Sequence, residues 1–425
     1  MTGLTDQLIE FMGTSVPEDA AAMMRLSLFD WAACGIAGAD ETEFDAFVGA
    51  QLALHQGGHK VFGGGSTSAP TAALVNGTIS HALDYDDTHF AHIGHPSVAV
   101  LPAVLALGEQ VSCDLDALTH AATIGVEASI AVGLWLGRDH YQVGYHQTAT
   151  AGAFGATVAA SRLLGLDVMQ TRHALGLCAS MASGIKAQFG TMAKPLNAGL
   201  AARTGVEATV WAQAGMTAAQ DGLAGPLGFG ATHHGQGGNV DLPIDDWRIN
   251  SISHKFHACC HGLHAMLEAL RDTAAQPDQI KAVHIRTHPR WMSVCNIQTP
   301  NTGLAAKFSY GQTAAMALLG HDTGAIGNFT DAMAQDADVL ALRNRINVSE
   351  DARLSETQSE LLITLSDGST ESLRHDLMSP MSLETRAQKL RGKAAALLGE
   401  GRAAPLWSAT QGHSLRVFLD QLVMS

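Results

Sequence analysis

The sequence predicts a mainly α protein: a large helical part, then a smaller α+β segment, then a return to helix. Three observations lead there. Small and apolar residues recur at helical spacing from the start of the chain to about Asn239. Strand-like alternation begins only after that point. Charged residues make up only 15% of the 425 residues while hydrophobic ones reach 46%, and roughly 25% charged is usual for soluble domains. Fewer charges mean less surface that must face water, which suits a large helical core or a wide subunit contact; a homodimer is expected.

The elements follow in order. The opening MTGLTDQLIEFMG is acidic and amphipathic, without the basic stretch and long apolar run of a signal peptide. Pro17-Glu18-Asp19 opens a helix whose apolar face carries Met23, Met24, Leu26, Leu28, Phe29 and Trp31. Further helices are expected over 69–84, 98–110, 115–136, 148–164 and 168–183. Alanine and glycine crowd them, as in AGAFGATVAASRLLGL, and let helix axes approach closely. ATHHGQGGNVDLPIDDW reads as a boundary loop. Beyond it come a helix near 258–274, a strand over 281–288, helices near 309–319 and 330–342, and a hairpin over 359–373 turning at Asp367-Gly368. Pro380 punctuates the chain, Ser382 caps a helix over 383–398, and 412–422 closes it as another helix. The expected division is therefore 1–239 helical, 240–380 α+β, and 381–425 helical again.

The formal net charge is −15 and no basic block occurs, which argues against nucleic acid and anionic membrane as partners. No run reaches the ~18 to 20 uninterrupted apolar residues of a membrane span. The six cysteines lack a disulfide spacing, so free thiols in a reducing cytoplasm are expected. One stretch, 168–206, holds Arg172, Lys186, Lys194 and Arg203 but no acid, and offers local positive charge to an anion.

The densest polar cluster is H81-A-L-D-Y-D-D-T-H-F-A-H-I-G-H-P96. Asp84, Asp87 and Thr88 are spaced to share one helical face, with His95 on a loop stiffened by Pro96. Histidines at 89, 92 and 95 invite a metal reading, but no HExxH pattern accompanies them, and no metal or other cofactor is expected. A structural reading, in which these groups only pair loops, stays open at this point. Other features are His146 in G-Y-H-Q-T, just ahead of a small-residue helix, Lys194 beside Pro195, and Lys255 with several histidines in H254-K-F-H-A-C-C-H-G-L-H264. A Cys260–His264 nucleophilic pair has no local signature behind it. There is neither a GxSxG elbow nor a P-loop.

In order, H-A-L-D-Y-D-D-T, H-P-S-V-A-V-L-P-A, G-Y-H-Q-T, the K-P-L segment, K-F-H-A-C-C-H-G-L-H and A-K-F-S resemble the MmgE/PrpD family over nearly the whole chain. That family includes methylcitrate dehydratase, cis-aconitate decarboxylase and iminodisuccinate epimerase. The resemblance implies an all-α domain built from both chain ends, a smaller inserted α+β lid, a cofactor-free reaction and a dimer. It implies a pocket of Asp84, Thr88, His95, His146, Lys194 and Lys255, with Cys260, His264 and Gln312 also on the substrate side. Cys260 and Gln312 depart from the decarboxylase branch, which has a lid histidine and a pocket tyrosine there; Tyr310 lies two places earlier. The segment from Thr88 to His95 is also one residue longer.

Such enzymes move a proton at carbon next to a carboxylate. The two lysines would hold carboxylates and stabilise charge. His146 is expected as base and His95 as acid or carboxylate ligand, with Asp84 orienting a histidine or acting as an acid, and Thr88 bonding the substrate. Three functions follow: a lyase acting on a small di- or tricarboxylate by dehydration or decarboxylation, an epimerase of a dicarboxylate, or a silent carboxylate-binding protein.

Overall fold

The computed structural model describes residues 3–242 and 245–423; Pro243 and Ile244 of the boundary stretch lie outside them. The chain forms two compact units, Met1–His254 with Leu398–Ser425, and Lys255–Leu397.

The first unit is helical. It contains α1 (Leu4–Met12), α2 (Glu18–Gly38), α3 (Asp45–Leu54), α4 (Ala69–Ser80), α5 (Ser97–Val111), α6 (Leu115–Gln142), α7 (Gln147–Leu164), α8 (Val168–Met181) and α9 (Ala193–Gln213). Its core is the set of crossings of α7 with α5, α6 and α9, and of α4 with α9. Glycine makes these crossings tight. A Cβ on Gly199 of α9 would lie 2.2 Å from the Leu74 carbonyl oxygen of α4, and one on Gly155 of α7 would lie 2.5 Å from the Gly125 oxygen of α6. Only hydrogen fits there, so backbones touch as the composition predicts. The windows of α2 and α6 that are long and apolar enough to cross a membrane are 78% and 83% buried, covered by the rest of this unit.

One expectation needs correction here, and two further features go beyond what spacing along the chain announces. The helix over 69–84 stops at Ser80, because His81 caps it and Asp84 adopts a left-handed φ of 49°. Asp84, Asp87 and Thr88 therefore sit in a turn and share no helical face. The long helix α9 starts at the Lys-Pro step; Pro195 falls in its first turn, where no intrahelical acceptor awaits an N–H. The first unit also reaches to His254. Trp247 packs 5.1 Å from Phe11, and the Ile249 N–H donates to buried Glu127 at 2.9 Å, which keeps this segment with the helices.

The second unit carries a four-stranded sheet in the spatial order Ile346–Glu350, Ile280–Thr287, Gln358–Leu365, Thr370–Asp376. The first pairing is parallel and the other two are antiparallel. The hairpin turns at Asp367-Gly368 as expected, with Gly368 at φ 88°. Val283, Ile285, Leu361 and Ile363 are buried on one face of the sheet. The edge strand Ile346–Glu350 has no buried residue, which is why alternation did not announce it. The helix expected from 258 is regular only over His264–Leu270. Helix Leu383–Leu398 joins this unit rather than the returning part: it buries Leu390 and Ala394, and Lys389 pairs with Glu268. Glu400–Gln411 and Leu415–Val423 complete the first unit, where Arg25 donates to the carbonyls of Thr410 and Gly412 at 2.6 and 3.0 Å.

Candidate active site

The turn that follows α4 gathers the polar and titratable residues of the candidate site in the first unit. The left-handed Asp84 reverses the chain, and Thr88 fixes its far side by exchanging backbone hydrogen bonds with Ser253 (2.9 and 2.8 Å). His95 is tied to α7, its N–H donating to Thr148 Oγ1 at 3.1 Å. Lys194 enters from the first turn of α9. These anchors converge on Asp84: Lys194 Nζ lies 2.7 Å and His95 Nε2 3.2 Å from its Oδ1. The Asp84 side chain is 41% exposed, whereas that of His95 is 10% exposed, so the group opens outward through Asp84.

Behind this group lies a buried carboxylate that the sequence reading did not single out. Asp86 meets His81 Nδ1 at 2.8 Å and His95 Nδ1 at 3.0 Å. The two imidazoles hold its carboxyl well below the usual range, against the opposing pull of burial. His81 itself is pushed down to about 4, burial outweighing Asp86. Asp87 is turned away, accepting from Ser97 Oγ at 2.5 Å, and burial raises its carboxyl to about 6.

His146 sits at the N-cap of α7, its N–H donating to the Gly184 carbonyl at 3.0 Å. Its ring packs edge-on against Phe189 and stacks 6.4 Å from His81. Burial first, then the charge of Lys194, keep it well below the usual histidine range, hence neutral at pH 7. Asn197 Nδ2 approaches its Nδ1 at 3.2 Å. Lys194 and Asn197 lie three residues apart on α9, a spacing that would have paired them had the helix been recognised. Thr88 belongs to the same turn, though its hydroxyl donates to the Ser253 carbonyl at 3.2 Å.

The ligand atoms of His81, Asp84, Asp86 and His95 lie within 4.8 Å of one another, close enough to surround a cation. The ammonium of Lys194 already fills that electrostatic role at Asp84, and Nδ1 of His81 is turned onto Asp86, with His95 Nδ1 3.0 Å from the same carboxylate. A metal ion would have to displace the ammonium.

The second unit holds the other expected residues. Lys255 is buried at its start, close enough to His264 to help keep that ring neutral, after burial and the rings of His261 and His257. His264 Nε2 meets the Cys259 carbonyl at 3.4 Å, an arrangement that gives no support to a Cys260–His264 nucleophile. Cys260 is part-buried, with its N–H on the Lys307 carbonyl at 2.9 Å. Burial pushes the neighbouring thiols of Cys259 and Cys295 upward, which keeps them protonated. Gln312 stands apart. Its carboxamide donates to the Met333 carbonyl at 3.0 Å and accepts from Arg343 at 2.8 Å, which commits both ends within the unit. The Tyr310 hydroxyl is likewise taken, by the Gly262 carbonyl (2.6 Å) and Thr287 Oγ1 (2.7 Å).

Residues 4–239 match the MmgE/PrpD N-terminal domain, and residues 257–409 match the MmgE/PrpD C-terminal domain. The chain is 25% identical to a cis-aconitate decarboxylase of Aspergillus terreus over 448 residues, covering 94% of this chain and 91% of that one. It is 28% identical to the cis-aconitate decarboxylases of Mus musculus (77% of this chain, 72% of the relative) and Homo sapiens (77% and 73%).

Proposed function

This chain belongs to the MmgE/PrpD family, and we propose that it is a cofactor-independent lyase acting on a small di- or tricarboxylate. The observation that carries the proposal is the group around Asp84: an ammonium and an imidazole converge on one outward-facing carboxylate, with a second, neutral imidazole close behind. The similarity to cis-aconitate decarboxylases makes decarboxylation the leading reaction.

The chemistry follows from charge. A substrate carboxylate would compete with Asp84 for the Lys194 ammonium and bind there. Breaking the bond between a leaving carboxylate and its neighbouring carbon releases carbon dioxide and leaves an electron pair on an already anionic molecule. That pair is spread toward the remaining carboxylate beside Lys194 and is then taken up by one proton delivered to carbon. Fixed donors aimed at developing charge contribute about 3 to 4 kcal/mol each where they have been measured. A dehydration uses the same parts, with a proton removed and hydroxide leaving. Lys255, on its match to the family's K-F-H motif, is assigned to a second substrate carboxylate.

The test is proton NMR of the purified protein in deuterium oxide, with EDTA present. The panel is citrate, methylcitrate, cis-aconitate, malate, tartrate and iminodisuccinate. Loss of a C–H signal with an alkene product establishes the lyase. A new diastereomer without an alkene would make the protein an epimerase instead, and binding without exchange or turnover would reduce it to a carboxylate-binding protein.

A further inference from the structure

Two histidines in this site have polar neighbours of opposite character, carboxylates beside His95 and an amide beside His146, and those neighbours bear on what each ring can do. We propose that His95 carries the proton, held by Asp86 as its buried positioning residue, and that Asn197 locks His146 as a neutral Nε2–H donor. The proposal deepens the lyase reading and rests on it for the meaning of the roles.

Both ring nitrogens of His95 face carboxylate oxygens, Nδ1 toward Asp86 at 3.0 Å and Nε2 toward Asp84 at 3.2 Å. Ionised carboxylates only accept, and a neutral imidazole has a single N–H. A neutral ring would set a lone pair beside one of these anions, whereas an imidazolium places positive charge between both. The two carboxylates also differ. Asp86 is buried and anchored by a second imidazole, His81, at 2.8 Å, while Asp84 is 41% exposed and shared with Lys194. When a substrate takes the place of Asp84, the Asp86 charge 3.0 Å from His95 Nδ1 remains to stabilise the cation, and Nε2–H is presented to the substrate. This is the division of labour of a carboxylate–histidine pair, in which the carboxylate orients the ring and stabilises its cation.

At His146 the partner has the opposite character. The Asn197 Nδ2 amide can only donate, so Nδ1 of His146 carries the lone pair and Nε2 carries the hydrogen. Burial beside Lys194 keeps this ring uncharged. It can take up no proton unless the Asn197 amide turns over to present Oδ1, and its remaining N–H is the one left to stabilise negative charge on a substrate. A neutral imidazole in such a role has precedent in other enzymes that form enolates. On this proposal His146 serves as a donor rather than as the base expected from sequence.

The tautomers can be read without substrate. The full-length protein, labelled with 15N-histidine, gives two-bond proton–nitrogen correlations at pH 7.5. His95→Gln and His146→Gln assign the two rings. The expected result is His146 as the Nε2–H form and His95 protonated at Nδ1. Asn197→Asp, which offers an acceptor in place of a donor, should switch His146 to the Nδ1–H form. In turnover, Asp86→Asn should lower kcat by about 10²- to 10⁴-fold with KM little changed. It should also move the limb on which His95 loses its proton to lower pH, since the imidazolium loses a stabilising charge. The other groups facing His95 are Asp84, Asp87, His81, His92 and His146, with Lys194 across Asp84, and all stay in place. An Nδ1–H tautomer at His146 in the unaltered protein overturns the proposal, as does an unshifted pH profile in Asp86→Asn. The free-protein spectrum decides the tautomers even if Asp86→Asn fails to fold. It also separates this inference from the lyase reading: correct tautomers with no turnover fault only the function, and turnover with reversed tautomers faults only the inference.

Discussion

Asp84 Oδ1 serves two partners at once, Lys194 Nζ at 2.7 Å and His95 Nε2 at 3.2 Å, in a half-open setting. An exposed pair of this kind contributes at most about 1 kcal/mol to stability. On the proposed function, its value lies in placing an ammonium where a substrate carboxylate would arrive. Lys194→Ala is therefore expected to leave the melting temperature within a few degrees of the parent while kcat falls about 10²- to 10³-fold, the usual cost of losing one charge-stabilising donor. Lys255→Ala should cut turnover comparably. Steady-state kinetics beside thermal unfolding separates the effects, and near-normal rates in both variants would end the electrostatic account. At this scale the sequence was informative about residue types: the H-A-L-D-Y-D-D-T run contained Asp84, Asp86 and His81 together. It did not reveal which acid faces outward, because that depends on the left-handed backbone at Asp84, a conformation rare for a residue with a Cβ.

At the scale of elements, the crossing of α4 and α9 positions the site from both sides. α4 leads directly into the turn of His81 and Asp84, while α9 starts with Lys194 and carries Asn197 one turn on. Gly199 holds the two helices in backbone contact, since a methyl there would sit 2.2 Å from Leu74 O and 2.3 Å from Thr78 Oγ1. Neither a carbonyl nor a bonded hydroxyl yields cheaply. Gly199→Ala is expected to destabilise the protein by about 1 to 3 kcal/mol, the range for overpacking, even though alanine favours helix. A lowered unfolding midpoint in urea checks it. Turnover should fall as well, because the shift moves Lys194 relative to Asp84. An unchanged midpoint would mean that the helices separate freely and that the crossing does not hold the site.

For the molecule as a whole, buried neutral histidines set the response to acid. His81 and His89 are pushed down to about 4 and His92 to about 3, burial being the first cause in each. In the unfolded chain each titrates near 6.5. The native state thus binds fewer protons than the unfolded chain between about pH 6.5 and 4. Stability is fully present above 6.5 and is lost as pH falls through that window, on the order of 3 kcal/mol per ring. Asp87, raised to about 6, works the other way: between about pH 4 and 6 acid favours its native form. Glu127, also raised by burial, acts in the same sense, and these two carboxyls do not offset three rings. The urea midpoint should drop steeply from pH 7 to pH 5, and a flat profile would mean that these rings are already charged in the native state.

The amino-acid order alone determined that this is a mainly α protein packed through alanine and glycine, with an α+β segment in its second half and a polar turn near residues 81–96. Those properties are written in local periodicity and composition, which report burial residue by residue. Only the tertiary structure decided that helix Leu383–Leu398 belongs with the sheet, that Gln312 is committed to Met333 and Arg343, and that Asp86, His81 and Asn197 stand behind the expected site residues. Each of these depends on partners distant in the chain, such as Asn197 reaching His146 from another helix. Spacing along a single sequence carries no record of which buried donor will meet which acceptor.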